Sequence, residues 1–225
     1  MERIRLIGIA LGRFKNVCHG AIDLSKAQET DSACSVLGVY GQNGSGKTAL
    51  IDSLQVLKHL LSPFPCCSPS EVQEWMHYIN VESKSSELTW TFRLDDDKGV
   101  VRRVEYSVAV QKCEDCMAVE NAVWIPRIQF ANEKISVTST IDGETARKAV
   151  LIDTNAEDTF KPATRLRALV AADKKARESL IVAKRLSMEN SRSFVFSSEF
   201  AEIMAKAANE DSQQLKNVIA RLRHY

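Results

Sequence analysis

The stretch Gly41-Gln42-Asn43-Gly44-Ser45-Gly46-Lys47-Thr48 constrains this chain more than any other, because it fills every fixed position of the pattern G-x-x-x-x-G-K-[ST]. An apolar run of β-forming residues, Val36-Leu37-Gly38-Val39-Tyr40, leads into it, and Ala49-Leu50-Ile51-Asp52-Ser53-Leu54 leaves it with helical spacing. The order strand, glycine loop, helix is what a phosphate cradle requires. Successive backbone N–H groups turn inward on a phosphate only where φ is positive and no Cβ intrudes, a need that Gly41, Gly44 and Gly46 meet. The positive end of the helix dipole adds to the attraction for an anion. Lys47 is then expected to lay its ammonium on the β- and γ-phosphates and to serve phosphoryl transfer, while the Thr48 hydroxyl completes the shell of a Mg²⁺ ion. With glycine at about 7% of residues, the four fixed positions match by chance in roughly one chain of this length in a hundred.

The helix after Thr48 sets Leu50, Leu54, Leu57 and Leu61 on one predicted face and should stop near Ser62, since Pro63 restricts the residue before it. Upstream, residues 3–9 alternate charge with Ile and Leu, Gly12 to Val17 interrupts, and Ala21 to Leu24 resumes, which predicts two strands around a basic turn. Downstream the period changes to two. Leu88, Trp90, Phe92 and Leu94 alternate with polar residues, Asp95 to Gly99 turns, and Val100 to Val110 alternates again, the pattern of a hairpin. Further β-type segments at 122–125 and 135–141 run into Asp142-Gly143, a two-residue hairpin signal with Ala149 to Ile152 as the return strand.

Residues 80–153 should therefore form an antiparallel meander, which a simple doubly wound kinase or GTPase does not show after its first helix. Beyond Pro162 the pattern is helical and basic. Phe194-Val195-Phe196 then precedes a thinly apolar helix near 199–222 (Phe200, Ile203, Met204, Leu215, Ile219, Leu222), which should lean on something else. The expected fold class is α/β (α+β): a lobe over 1–160 with the glycine loop and the meander, then a basic helical segment over 161–225.

Thirty basic and 29 acidic side chains leave a net charge of +1, so bulk charge announces neither a nucleic-acid nor a membrane partner. Charges interrupt the N-terminal apolar run and no segment reaches the apolar length of a membrane span, so a cytoplasmic location is expected. Six cysteines (Cys18, Cys34, Cys66, Cys67, Cys113, Cys116) without a secretion signal read as reduced thiols. Cys113 and Cys116 have zinc-ligand spacing, but two thiolates leave a tetrahedral shell half open. The four histidines (His19, His59, His77, His224) are scattered, so no zinc is expected. The run from Arg165 to Arg185, with Lys174, Lys175, Arg177 and Lys184, could track nucleic-acid phosphates, yet Asp173, Glu178 and Glu189 interleave with it and favour a solvated helix face.

The start Leu6-Ile7-Gly8 to Phe14-Lys15-Asn16, then Ile22-Asp23-Leu24, then Tyr40 to Thr48, resembles the N-terminal end of RecF/SMC-like ATPases. It is most similar to the OLD and abortive-infection group of AAA-class ATP-binding proteins, and the likeness covers about residues 4–61. The resemblance implies an ABC-type head that binds ATP and Mg²⁺, with an antiparallel lobe holding the adenine and the ATP sandwiched between two heads or between the chain and a partner. It also implies that the first strands and their turn lie beside the nucleotide, which would bring Arg13 or Lys15 near it. The setting that the resemblance implies is DNA maintenance or phage defence.

Two motifs of that family are missing. No Leu-Ser-Gly-Gly-type signature occurs, and no four apolar residues precede an Asp-Glu pair. Val150-Leu151-Ile152-Asp153 comes nearest to the second, but Thr154 follows, and a hairpin return strand would end the same way. Gln129, Gln111 and Gln73 are equivalent choices for a Mg²⁺-sensing glutamine. The chain is thus expected to be the N-terminal portion of a head, or a shortened one, whose hydrolysis of ATP needs a missing lobe or a partner. The rivals are a self-sufficient kinase or GTPase using Asp153 as its metal aspartate, which a parallel strand beside the loop strand would support, and a nucleotide-sensing module that never hydrolyses.

Overall fold

Period-two alternation builds the central element. In the computed structural model, β1 (Arg3–Phe14), β2 (Val17–Asp23), β3 (Ser85–Asp95), β4 (Val101–Glu120), β5 (Val123–Ile141), β6 (Glu144–Thr145) and β7 (Ala149–Asp153) make one seven-stranded sheet. Its order is β2-β1-β3-β4-β5-β6, with β7 also on β5, and every pairing between named strands is antiparallel. The helices are α1 (Lys47–Leu61), α2 (Ser198–Ala205) and α3 (Glu210–Arg223), and Trp75–Tyr78 forms a single 3-10 turn. The structure describes residues 3–25, 38–62, 75–96, 100–120, 123–141, 144–145, 148–154, 192–205 and 210–225, together with Glu178 and Val182.

One face of the sheet is the core. Leu88, Trp90, Phe92 and Leu94 on β3 meet Val108, Tyr106, Val104 and Arg102 on β4 in register, and Tyr106 and Val104 meet Ile135 and Val137 on β5. All of these but Arg102 are buried. From β1, Ile9 lies opposite Trp90 and Leu11 opposite Leu88, which extends the same layer. Phe196 packs edge-on against Tyr106, and Tyr225 against Phe92, so the chain after residue 192 closes over this face. The thinly apolar helices therefore do lean on something: Phe200, Met204, Leu215, Ile219 and Leu222 are buried in the cluster that holds the strands. Each such side chain contributes about 1.5–3 kcal/mol by leaving water.

Several elements differ from expectation. β1 runs through Gly12 and Arg13 to Phe14, because Gly12 pairs with both His19 and Glu87 and Phe14 pairs with Val17 and Ile79; only Lys15 and Asn16 turn. The two β segments at 122–125 and 135–141 are one strand, β5, and β4 continues through Cys113 to Glu120 beside it. On α1 the buried face takes in Leu50, Leu57 and Leu61 as the spacing predicts, together with Ala49, Ser53, Val56 and Leu60, and of the four leucines only Leu54, 37% exposed, lies at its margin.

The strand expected over Val36–Tyr40 is not found where it can be seen. Gly38 to Tyr40 belong to no strand, Tyr40 is 94% exposed, and Val36 and Leu37 lie outside the described residues. The helix near 199–222 is seen as α2 and α3, with 206–209 outside the described residues. Also outside them are the Asp142-Gly143 turn, although Ile141 pairs with Glu144 across it, and the basic run Arg165 to Arg185 apart from two helical positions. Among the described residues no helix is long and apolar enough to cross a membrane.

Candidate functional site

The loop from Gly41 to Ser45 is exposed, and it ends on Gly46, the N-cap of α1. Gly44 has φ +83° and Gly46 φ +91°, the left-handed region that a residue with a Cβ enters only with strain. A Cβ on Gly41 would stand 2.7 Å from the Ser45 hydroxyl, so the two ends of the loop approach as closely as glycine permits. The Ser45 N–H donates to the Gln42 carbonyl at 3.2 Å. No side chain caps α1, and no acidic residue occupies its first turn. Its leading N–H groups, with their share of the helix dipole, are left facing the loop for an anion to use.

Lys47 folds its ammonium back over this loop, donating to the carbonyls of Gly41 and Gln42 at 2.6 Å each and lying 3.5 Å from the Ser45 hydroxyl. Thr48 stands exposed beside it, one residue further along α1. The expected site residues Gly41, Gln42, Asn43, Gly44, Ser45, Gly46, Lys47 and Thr48 are therefore gathered at one helix N-terminus. A polyphosphate fits this donor set: backbone N–H groups, one ammonium, and a hydroxyl suited to Mg²⁺.

The β1–β2 turn lies against the loop. Lys15 forms an ion pair with Asp52, one turn into α1, with side chains 28% and 14% exposed. Its ammonium also stands over the Tyr78 ring, 5.4 Å from the centroid. The Asn16 amide donates to the Gly44 carbonyl. Arg13 turns elsewhere and pairs with Glu87 at 3.0 Å on the surface. Arg13 and Lys15 both have positive φ, 53° and 54°. Asn80 N–H on the Arg13 carbonyl, Lys15 N–H on the Tyr78 carbonyl and the Asn80 amide on the Lys15 carbonyl hold them there. Asp52 escaped sequence reasoning, and Asn16 entered it only among the residues that carry the resemblance, because nothing in their spacing gives either one a role.

The other candidates are not brought to the loop. Asp153 ends β7, antiparallel to β5, and pairs with Lys134 at 3.2 Å; no parallel strand that would make it a metal aspartate occurs among the described residues. Gln111 and Gln129 face each other across β4 and β5, two and three strands from β1 in the sheet order, and Gln73 lies outside the described residues. A register shift in β4 runs from Cys113 to Met117, and Cys116 falls inside it. His59 is buried against Trp75, and no cluster of three or more His, Cys, Asp or Glu that could hold a metal occurs among the described residues. A cleft of about 220 Å³ between α2 and α3, lined by Phe200, Met204, Ile219 and Arg223, includes none of the loop residues.

No family profile and no curated protein matches the chain. Among solved structures it is similar to one described as the structure of the recombination mediator protein RecF-ATP in the RecFOR pathway, with a TM-score of 0.32 and 12% identity. That match covers 99% of this chain and 54% of the other, so the chain spans about half the length of that protein. At this TM-score the likeness carries no argument about fold or site.

Proposed function

We propose that the chain is a nucleotide-binding lobe that takes Mg·ATP on the loop Gly41 to Thr48, as the resemblance to RecF/SMC/OLD-like heads implies. The observation that supports it is the loop itself: left-handed Gly44 and Gly46 at an uncapped helix N-terminus with the Lys47 ammonium folded over it. Lys47 would hold the phosphates, Thr48 would share a Mg²⁺ ion with them, and the ion would supply charge stabilisation at the terminal phosphate. In this reading the nucleotide lobe comprises residues 1–160 and the basic segment 161–225 follows it, with the stretch from residue 192 packed on the lobe's sheet. Hydrolysis would need the Asp-Glu pair and the signature that this sequence lacks, from a further lobe or from a partner chain.

The test is titration calorimetry with Mg·ATP on the full chain and on Lys47→Ala. Loss of a charge-assisted contact of about 1.5–3 kcal/mol should weaken binding roughly 10- to 150-fold. Equal affinity in the two proteins would reject the site, since a glycine loop kept for structure alone does not sense the lysine.

A further inference from the structure

The geometry points to Asn16, at the tip of the β1–β2 hairpin, as the positioning residue that holds the glycine loop in its phosphate-receiving shape; the inference rests on the nucleotide reading of that loop. The need for such a support comes from two observations. On its entry side the loop has no strand behind it among the described residues, for Gly38 to Tyr40 lie outside the sheet with Val39 42% and Tyr40 94% exposed. At its apex, nothing comes within 4 Å of where a Cβ on Gly44 would be, so no packing fixes the peptide there.

What does fix it is a pair of hydrogen bonds on the two sides of the Gly44–Ser45 peptide. The carbonyl accepts from the Asn16 amide, and the N–H donates to the Gln42 carbonyl at 3.2 Å. The neighbours of Asn16 grip the flanks. Lys15 pairs with Asp52 on α1, and a methyl of Val17 lies only 2.8 Å from where a Cβ on Gly46 would be. Three consecutive residues of one turn thus hold the apex of the loop, its last glycine and the helix that follows.

The turn can do this because it is itself rigid. Its left-handed residues are held by Tyr78 of the 3-10 turn, by Asn80 just after the Ile79 bridge, and by the Ser86 hydroxyl of β3, the last donating to the Arg13 carbonyl. Asn16 therefore passes the stiffness of the sheet to an exposed glycine segment that would otherwise sample many shapes. A loop already in its bound shape loses less entropy when it closes on phosphate. Asn16 need not touch the ligand; it acts through Gly44.

The experiment titrates Mg·ATP and Mg·tripolyphosphate into the wild-type chain, Asn16→Leu, Asn16→Gln and Lys47→Ala, with thermal unfolding of each. Asn16→Leu keeps the size and removes the donor. It should weaken both ligands by the same factor, about three- to tenfold for one hydrogen bond, with an unchanged unfolding midpoint. Asn16→Gln, which keeps the amide, should bind more tightly than Asn16→Leu. Wild-type affinity in Asn16→Leu, a loss confined to ATP, equal weakness of the Gln and Leu variants, or a loss that follows a lowered midpoint would each overturn the assignment. Wild-type affinity in Lys47→Ala would instead remove the nucleotide reading beneath it.

Discussion

Glu133 is 2% exposed on β5, and replacing it tests how the sheet is tied to the chain after residue 192. One carboxylate oxygen accepts the Tyr106 hydroxyl at 2.6 Å, and the other accepts the N–H groups of Phe194 at 2.7 Å and Val195 at 3.1 Å. The Ser193 hydroxyl is a further partner. Glu133→Leu keeps most of the volume and strands these donors. At about 1–3 kcal/mol for each of the four buried donors left alone, the loss should be roughly 4–12 kcal/mol, comparable with the ~5–15 kcal/mol that holds a domain folded. Glu133→Gln is different, because its carbonyl can take both N–H groups while its NH₂ donates to the Tyr106 oxygen, so only the hydroxyl hydrogens must find other acceptors and the cost should be about 1–2 kcal/mol.

The pH dependence supplies a second readout. Burial is the main cause that raises the Glu133 carboxyl above its ordinary value of 4.5, and the hydrogen bonds from Ser193, Tyr106, Val195 and Phe194 oppose it. Burial, with the charge of Glu133, also pushes the Tyr106 phenol well above its usual range, so Tyr106 stays a donor throughout. A raised folded value means that the native state binds the Glu133 proton more tightly than the unfolded chain does. This contribution is fully present below the ordinary carboxylate value and is lost as pH rises through the folded value. The wild type should therefore lose stability relative to Glu133→Gln as pH rises from the ordinary value upward. Urea unfolding read by tryptophan fluorescence measures this, since the Trp90 ring stacks 5.7 Å from Tyr106. A Leu variant as stable as the Gln variant, or a wild-type-to-Gln difference that does not change with pH, would refute the reasoning.

Leu60→Ala empties a fully buried site on α1 and should cost about 2–5 kcal/mol in urea unfolding, whereas Ile51→Ala, at a position 64% exposed, should stay within about 0.5 kcal/mol. Gly46→Ala must adopt φ +91° with its methyl 2.8 Å from Val17, and a loss of roughly 1–3 kcal/mol by thermal unfolding is expected. In a multiple-turnover phosphate-release assay the chain alone should hydrolyse ATP at a negligible rate, since it offers a cradle without an Asp-Glu pair. Robust turnover that depends on Lys47 and also falls in Asp153→Ala would favour a self-sufficient enzyme.

The hairpin of β3 and β4 was legible because a sheet buried on one face imposes strict alternation, as Leu88 to Leu94 and Val104 to Val110 show. Gly12 and Arg13 hid the far end of β1, since their place in the strand comes from pairing with Glu87 and His19 and not from their own side chains. β5 was read as two pieces because Pro126, Gln129 and Asn132 break its apolar pattern, and a strand paired along nearly its whole length tolerates such breaks where bulges absorb them. Val39 and Tyr40 have the composition of a strand, but composition does not provide a neighbour to pair with. Within the site, the glycine loop is a local pattern and was visible. The grip of Lys15 on Asp52 and of Asn16 on Gly44 joins residues 37 and 28 positions apart, and only the folded sheet brings them together.

Because β1 finds β3 across a long stretch of chain, with Arg13 and Glu87 seventy-four positions apart, the order of folding events is uneven. The β1–β2 hairpin closes on a two-residue turn, and such hairpins form in about 1–10 μs. Joining it to β3 must first overcome the closure entropy of everything between, α1 and the glycine loop included, so this step is intrinsically slow. Until it happens the hairpin tip lacks the backing of Tyr78, Asn80 and Ser86, and both β1 and β3 present open edges on which another copy of the chain can pair. A ligand that selects the finished loop then acts as a thermodynamic pull on the last step of assembly, stabilising the closed sheet by mass action.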